Sequence, residues 1–235
     1  MNRERLDKWL ADRTPYSRKE IKAFVREGAV RIGDRTVTDP SAYVQDGDSV
    51  SFRGEILAAD KHIYIMLHKP KEVVSVSVAP GDRTVLDLLP EDYRRNGLFP
   101  AGRLDRDTTG FVLITDDGDF AHRILSPKKH VEKVYRVTLR DPAGEEYADR
   151  FSQGLLLGDG TQCLSAKLEQ TDDPRCVRVT LREGRYHQVK RMFASLGNQV
   201  VELHRESIGG VSLDPQLPPG GSRLLRKDEL DTMTE

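Results

Sequence analysis

Residues 101–118 read AGRLDRDTTGFVLITDDG and set four aspartates, Asp105, Asp107, Asp116 and Asp117, around a turn and an apolar run. Pro100, Gly102 and Gly110 punctuate the stretch, so it predicts a loop bearing Asp105 and Asp107 that feeds a strand over residues 111–115. Loops held by rigid strands are where chemistry concentrates. The run also overlays a calcium-loop template, with Asp105 at position 1, Asp107 at 3, Thr109 at 5, Gly110 at 6 and Asp116 at 12. Against calcium, position 12 lacks the bidentate glutamate, and Leu113 at position 9 can neither ligate nor bridge through water. A magnesium-dependent nuclease could use the same aspartates. Ordinary turn and cap chemistry accounts for Asp107, Asp116 and Asp117. Asp105 differs, because Arg103 and Arg106 flank it. Nearby cations keep a carboxylate ionised, which suits a nucleophile better than an acid.

Around this stretch the pattern is rich in strands. Upstream, residues 63–67 form an apolar run followed by Lys69-Pro70, and Val73, Val74, Val76 and Val78 make a second β-branched run. Residues 84–89 read as a short helix or turn closed by Pro90. Downstream, residues 119–125 read as a helix, and residues 134–139 as a strand with Tyr135, Val137 and Leu139 on one face. Residues 144–151 have helical character, and Val177, Val179 and Leu181 alternate with Arg178, Thr180 and Arg182 as in a half-buried strand. Residues 186–196 have helical periodicity stopped by Gly197. Strands over residues 200–203 and 211–213 and a helix over residues 227–233 complete the series. Strands that outnumber helices and arrive in meanders predict an α+β domain on a mixed, mainly antiparallel sheet flanked by helices.

The chain has 235 residues and a formal charge of −1, so global basicity does not announce a nucleic acid. The distribution does. Residues 1–31 carry nine Lys/Arg against five Asp/Glu. Leu6, Trp9 and Leu10 suggest a first helix, and Ser17 with Glu20 forms a capping box opening a second, which Gly28 closes. Its apolar face is Ile21, Phe24 and Val25. Arg18, Lys22 and Arg26 form a stripe beside that face, with Lys19 close by. Val30–Ile32, Val37 and Val50, with turns at Gly33-Asp34 and Asp46-Gly47, describe a small β-element. The stripe is either a solvated helix face or a contact for RNA phosphates. RLDKWL, SRKEIKAFVREGAVRIGDRTV and GDSV resemble the S4 RNA-binding domain over residues 3–52. The family often has Asn-Gly where Gly33-Asp34 stands here, and both suit a tight turn. The domain reading is therefore residues 1–52 as an S4-like (αL-type) module, 53–61 as a linker and 62–235 as a second domain.

From Arg175 to Arg205, seven Lys/Arg stand against two Asp/Glu, with His187, His204 and aromatic residues interleaved. Cations for phosphates and flat faces for bases are the composition of an RNA groove. The two histidines could equally ligate a metal, act as bases or fill space. Residues 101–118, EKVYRVTL and EGRYHQVKRMFASLGNQVVELHRESIGGVSLD are similar to the three motifs of the RsuA-type pseudouridine synthases. Within that family the runs TDDG, EGRYHQVKRMFA and VVELHRESIGG resemble the branch acting on small-subunit (16S) ribosomal RNA, at the site conventionally labelled uridine 516. Sister branches act on 23S rRNA or tRNA.

The resemblance implies a uridine-to-pseudouridine isomerase with Asp105 as the catalytic aspartate, Tyr135 stacking on the target base and Lys190 paired with the aspartate. Arg191 is the second candidate for that pairing. Val189 matches a small aliphatic packed in the pocket, and His68 replaces a common asparagine in a way that touches RNA contact more than chemistry. RNA contacts are expected at Arg18, Lys19, Lys22, Arg26, Arg103, Arg185, His187 and Arg191. The reaction calls for neither metal nor cofactor. Cys163 and Cys176 are too few for a disulfide framework and read as reduced thiols of a cytoplasmic protein. No apolar run is long enough for a membrane span, and a monomer is expected. A non-catalytic RNA-binding assembly factor and a metal-dependent nuclease are the competing functions.

Overall fold

The computed structural model describes residues 3–57, 59–126, 129 and 131–234. It separates into two compact units, Met1–Ile63 with Leu89–Leu98, and Tyr64–Leu88 with Phe99–Glu235. The return of Leu89–Leu98 to the first unit departs from a single division near residues 53–61. Polar anchors explain it. The Asn96 amide donates to the Tyr16 carbonyl at 2.7 Å, and its backbone N–H donates to the Thr14 carbonyl.

In the first unit β1 (Arg3–Arg5) leads into α1 (Leu6–Ala11), followed by α2 (Arg18–Arg26). The expected capping box is formed: the Ser17 hydroxyl accepts from the Glu20 N–H, and the Glu20 carboxylate accepts from the Ser17 N–H. Strands β2 (Val30–Ile32), β3 (Arg35–Val37), β4 (Tyr43–Gln45), β5 (Val50–Phe52) and β6 (Glu55–Ile56) follow. They pair as β3-β2-β5-β6, with β1 against β4, and all these pairs are antiparallel. β6 lies within the stretch read as a linker. Leu6, Trp9, Leu10, Ile21, Val25 and Val30 are buried together in the core.

The second unit contains β7 (Tyr64–Lys69), β8 (Phe99–Ala101), β9 (Thr109–Thr115), α3 (Gly118–Leu125), β10 (Lys133–Leu139), α4 (Tyr147–Gln153), β11 (Lys167–Gln170), β12 (Cys176–Leu181), α5 (Gln188–Ser195), β13 (Val200–Ile208), β14 (Val211–Ser212), β15 (Ser222–Leu224) and α6 (Lys227–Thr232). The sheet runs β11-β12-β10-β13-β9-β7-β15, with β8 on β9 and β14 on β13. β13 and β9 run parallel, and the other pairs are antiparallel. This is the mixed, mainly antiparallel α+β architecture expected. Both faces of β9 are covered, which is why it reads as a continuous apolar run rather than an alternation. Phe111, Leu113, Phe120 and Ile124 pack on one side, and Phe151 and Phe193 meet at 5.0 Å between ring centroids beneath α4 and α5.

The valine run at residues 73–78 is not a strand. Only an isolated bridge, Val74 with Thr84, forms there. Its polar groups are drawn into the loops instead: the Val74 N–H donates to the Arg83 carbonyl, and the Ser75 hydroxyl donates to the Leu104 carbonyl at 3.1 Å. β-Branched propensity yields here to tertiary pairing.

Candidate active site

The strand register brings three positions of the cleft wall and its supporting strand abreast. Tyr135 of β10 pairs with Arg205 of β13, and Arg205 pairs with Gly110 of β9. A register shift between Val134 and Tyr135 lets β10 skip Glu206, the kind of bulge that re-aims a side chain beside a site. Gly110 has φ of 109°, and a Cβ there would stand 2.6 Å from the Arg205 backbone nitrogen, so glycine is required for the two strands to meet. Tyr135 and Arg205 line a cleft of about 700 Å3 together with Asp105, Arg103, Leu104, Thr108, His187 and Val189.

Asp105 sits on the loop between β8 and β9. Lys190, in the first turn of α5, places its ammonium 3.2 Å from Asp105 Oδ2. The same ammonium donates to both oxygens of Asp107, at 2.6 and 2.9 Å. Asp107, read from sequence as a turn residue, therefore belongs to the charged centre. The Lys190 hydrogen bond holds the Asp107 carboxyl below its ordinary range. Burial opposes the charge on Lys190, but the Asp107 hydrogen bond and the Asp105 charge outweigh it, so its pKa lies above the ordinary lysine value. His187 Nε2 lies 3.4 Å from Asp105 Oδ1. The expected cations beside Asp105, Arg103 and Arg106, do not fill that role. Arg106 turns to Glu72 and Asp82 at 3.0 and 2.9 Å, and among the described residues Arg103 forms no ion pair with Asp105. Sequence neighbours on a loop diverge; the partners come from α5 and the turn before it.

The centre is braced by buried polar groups. Lys69, fully buried, donates to the carbonyls of Pro70, Arg106 and Thr108 at 3.0, 3.2 and 2.8 Å, and so holds the loop that follows Asp105. Burial pulls its pKa down to about 8. Lys133 is held likewise by the Ile124 and Val131 carbonyls, and burial brings it to about 8. Across the cleft, buried Glu183 accepts from the Leu164 N–H, the Gln188 amide and Arg185 Nε. That network steadies residues 184–187, where His187 adopts φ of 48° and ψ of 34°. A left-handed histidine stores strain on the order of 1 kcal/mol, and such strain gathers at functional sites. Its ring stacks on Tyr186 at 3.9 Å, and Tyr186 is 77% exposed at the mouth.

The other expected residues are distributed as follows. Arg191 pairs with Asp159 at 2.5 Å, which leaves Lys190 as the partner of Asp105. Arg185 is tied to Glu183, and Val189 is buried in the cleft wall. His68 Nδ1 lies 2.8 Å from the Leu217 carbonyl, and its ring faces His204 with centroids 5.5 Å apart, an internal contact rather than an open RNA face. In the first unit, Arg18 and Lys22 lie 3.0 and 3.7 Å from the fully buried Asp7 carboxylate, which also pairs with Arg5. Part of the basic stripe is thus anchored internally, while Lys19 and Arg26 are exposed. Cys163 is buried and Cys176 half-buried, both as free thiols.

The geometry of β9 also argues against the calcium-loop template. β9 is extended from Thr109 to Thr115, so about 20 Å of strand separates Asp107 from Asp116 at ~3.3 Å per residue. Among the described residues no group of three or more His, Cys, Asp or Glu is gathered to hold a metal ion, and no helix is long and apolar enough to cross a membrane. Arg205 was missed as a site residue. Its one available signal was position, an arginine that shares the buried side of β13 with Leu203 and Ser207 between half-buried His204 and Glu206.

Comparison with known proteins agrees with this architecture. A family profile described as RNA pseudouridylate synthase matches residues 63–195, and the S4 domain profile matches residues 4–50. The chain is 44% identical over 235 residues to a Bacillus subtilis protein named uncharacterized RNA pseudouridine synthase YtzG, covering 98% of each. It is 42% identical to the Escherichia coli ribosomal small subunit pseudouridine synthase A, covering 96% of this chain and 98% of that one. A crystal structure of a pseudouridylate synthase, 42% identical, superposes with a TM-score of 0.68 over 97% of this chain and 99% of its own. The chain belongs to the RNA pseudouridylate synthase family and is an RNA pseudouridine synthase with an S4 domain.

Proposed function

We propose that the Asp105 cleft converts one uridine of small-subunit (16S) ribosomal RNA, the site labelled uridine 516, to pseudouridine. The observation that carries this reading is the Lys190 ammonium 3.2 Å from Asp105 in a cleft walled by Tyr135. The full-length similarity to the small subunit synthases supports the choice of RNA. A uridine within folded RNA hides its glycosidic bond and must be flipped into a pocket. Cleaving C1′–N1 develops positive character on the ribose, which an ionised Asp105 stabilises or traps as a glycosidase carboxylate does. Lys190, ion-paired with that carboxylate, fixes its orientation. Tyr135 holds the detached uracil while it turns to rejoin through C5. The conversion is an isomerisation without redox or phosphoryl transfer, so this chain's side chains suffice without a cofactor. The S4 module, residues 1–52, supplies RNA affinity, and a ribosomal substrate makes the cytoplasm the place of action.

The test is to treat unmodified 16S and 23S rRNA, with and without ribosomal proteins, and map pseudouridine chemically. Modification at uridine 516 alone is the expected result. A product only in 23S rRNA moves the chain to a sister branch, and no product in either overturns the ribosomal assignment.

A further inference from the structure

Among the described residues, two buried polar atoms on residues lining the cleft have no hydrogen-bond partner: Arg205 Nη2 and the Thr108 hydroxyl. Arg205 is 4% exposed, yet lines the same cleft as Asp105 and Tyr135. Its other donors are spent on neutral oxygens. Nε donates to the Phe111 carbonyl at 2.7 Å, and Nη1 approaches the Tyr135 hydroxyl at 3.5 Å. A buried guanidinium bonded only to neutral groups is costly, and so is an orphaned donor upon it. Sites that keep such a charge keep it for negative charge that arrives later, where a fixed, water-excluded dipole or cation acts most strongly.

We infer that Arg205 is a catalytic residue whose Nη2 binds the uracil ring and stabilises the anion formed when the base is detached. The inference rests on the reading of the Asp105 cleft as the uridine pocket. When C1′–N1 breaks, the electron pair leaves with the base and spreads over N1, O2 and O4. The base turns, C5 supplies the pair for the new C1′–C5 bond, the C5 hydrogen leaves as a proton to restore the ring, and N1, freed from the ribose, takes up a proton in exchange. No atom or electron is gained overall. Between the two bonding events the uracil is the anion, and Asp105 and Lys190 are engaged with each other and the ribose. Arg205 is the cation adjoining Tyr135, with its guanidinium carbon 6.0 Å from the Tyr135 ring centroid. A phosphate is a poorer match, because it favours a two-pronged donor fork and Nε and Nη1 are already committed. The Thr108 hydroxyl offers the same cleft a second, neutral donor.

The experiment compares binding of barbiturate, a pyrimidine with ring carbonyls that is anionic at neutral pH, with binding of neutral uracil. Calorimetry on the full chain compares the wild type, Arg205→Met and Arg205→Lys, alongside RNA affinity and single-turnover rate. The wild type is expected to favour barbiturate by about tenfold or more, a difference of ~1.4 kcal/mol. Arg205→Met should lose that preference and slow turnover by about 10²-fold while RNA affinity holds, and Arg205→Lys should recover part of both. A wild type without preference for the anion, or an Arg205→Met protein that keeps it, overturns the inference. Should Arg205→Met fail to fold for want of its Phe111 bond, Arg205→Gln, neutral but still able to donate to that carbonyl, decides: an anion preference and rate equal to wild type overturn the inference. Asp105→Asn separates this from the underlying reading, since it should keep the anion preference while losing turnover. Turnover by Asp105→Asn removes the reading of the cleft instead.

Discussion

Lys190 stands 3.2 Å from Asp105 while holding Asp107 at 2.6 Å, so one ammonium is shared between two carboxylates of the same loop. A lysine that neutralised Asp105 alone would compete with the ribose for it; sharing leaves Asp105 the looser partner. Lys190→Met removes the ammonium that these two carboxylates share. Activity should fall by about 10²–10³-fold at neutral pH, and Lys190→Arg should retain most of it. A Lys190→Met protein as active as wild type contradicts the pairing.

The pH range over which this pair persists follows from the signs of its shifts. Asp107 is lowered from 3.8, so its contribution is complete above that value and is lost as pH falls through the folded value. Lys190 is raised from 10.5, so its contribution is complete below that value and is lost as pH rises through the folded value. Between these limits an Asp107→Asn variant should show a constant loss of stability relative to wild type in denaturant titrations, converging with it beyond either limit.

Lys69 and Lys133 give the opposite sign at alkaline pH. Both have folded values of about 8 against 10.5, so between those values the unfolded chain binds more protons and these lysines make stability rise with pH. Lys69→Met should remove its share of that slope. It also strips three carbonyls of their donor, a cost of about 2–4 kcal/mol, read as a lower denaturation midpoint.

Gly110→Ala should be among the most damaging single-methyl additions. The new Cβ would lie 2.6 Å from the Arg205 nitrogen and closer still to its carbonyl oxygen, at a φ of 109° that L-residues rarely adopt. A loss of about 3 kcal/mol or more is expected, with activity falling in the residual folded fraction. A variant as stable as wild type would mean that β9 and β13 do not meet there.

In the first unit, Arg18→Ala combined with Lys22→Ala should weaken RNA binding and flatten its dependence on salt, by up to about one slope unit for each phosphate no longer neutralised. Asp7→Ala probes the anchor beneath them. Its carboxylate is fully buried while Arg5, Arg18 and Lys22 stay about half exposed, so its removal should cost only about 1–2 kcal/mol.

Elements long enough to carry a clear pattern, whether a cap, an alternation or a continuous apolar run, were legible in the sequence. The capping box at Ser17 and Glu20, the apolar run of β9 and the alternation of β12 each folded as their pattern dictates, because burial and period agree there. Three-residue strands such as β1, β4, β8 and β15 were not, since so short a segment carries no period and is defined by its partner. The valines at residues 73–78 misled for the same reason. At the site, Asp105, Tyr135 and Lys190 could be singled out through motif resemblance; Asp105 and Tyr135 line one cleft, and Lys190 reaches Asp105 at 3.2 Å. Asp107 and Arg205 could not, because an ion shared across 83 residues and a buried orphan donor exist only after folding.

The central claim is that one carboxylate, Asp105, carries the chemistry, and single-turnover pseudouridine formation by Asp105→Asn on an RNA the wild type modifies tests it most directly. Asparagine keeps the shape and loses the charge. The expected result is loss of product formation by at least about 10³-fold, with RNA affinity within a few fold of wild type, as for removal of a group acting only in the transition state. Product formation at the wild-type rate would contradict it.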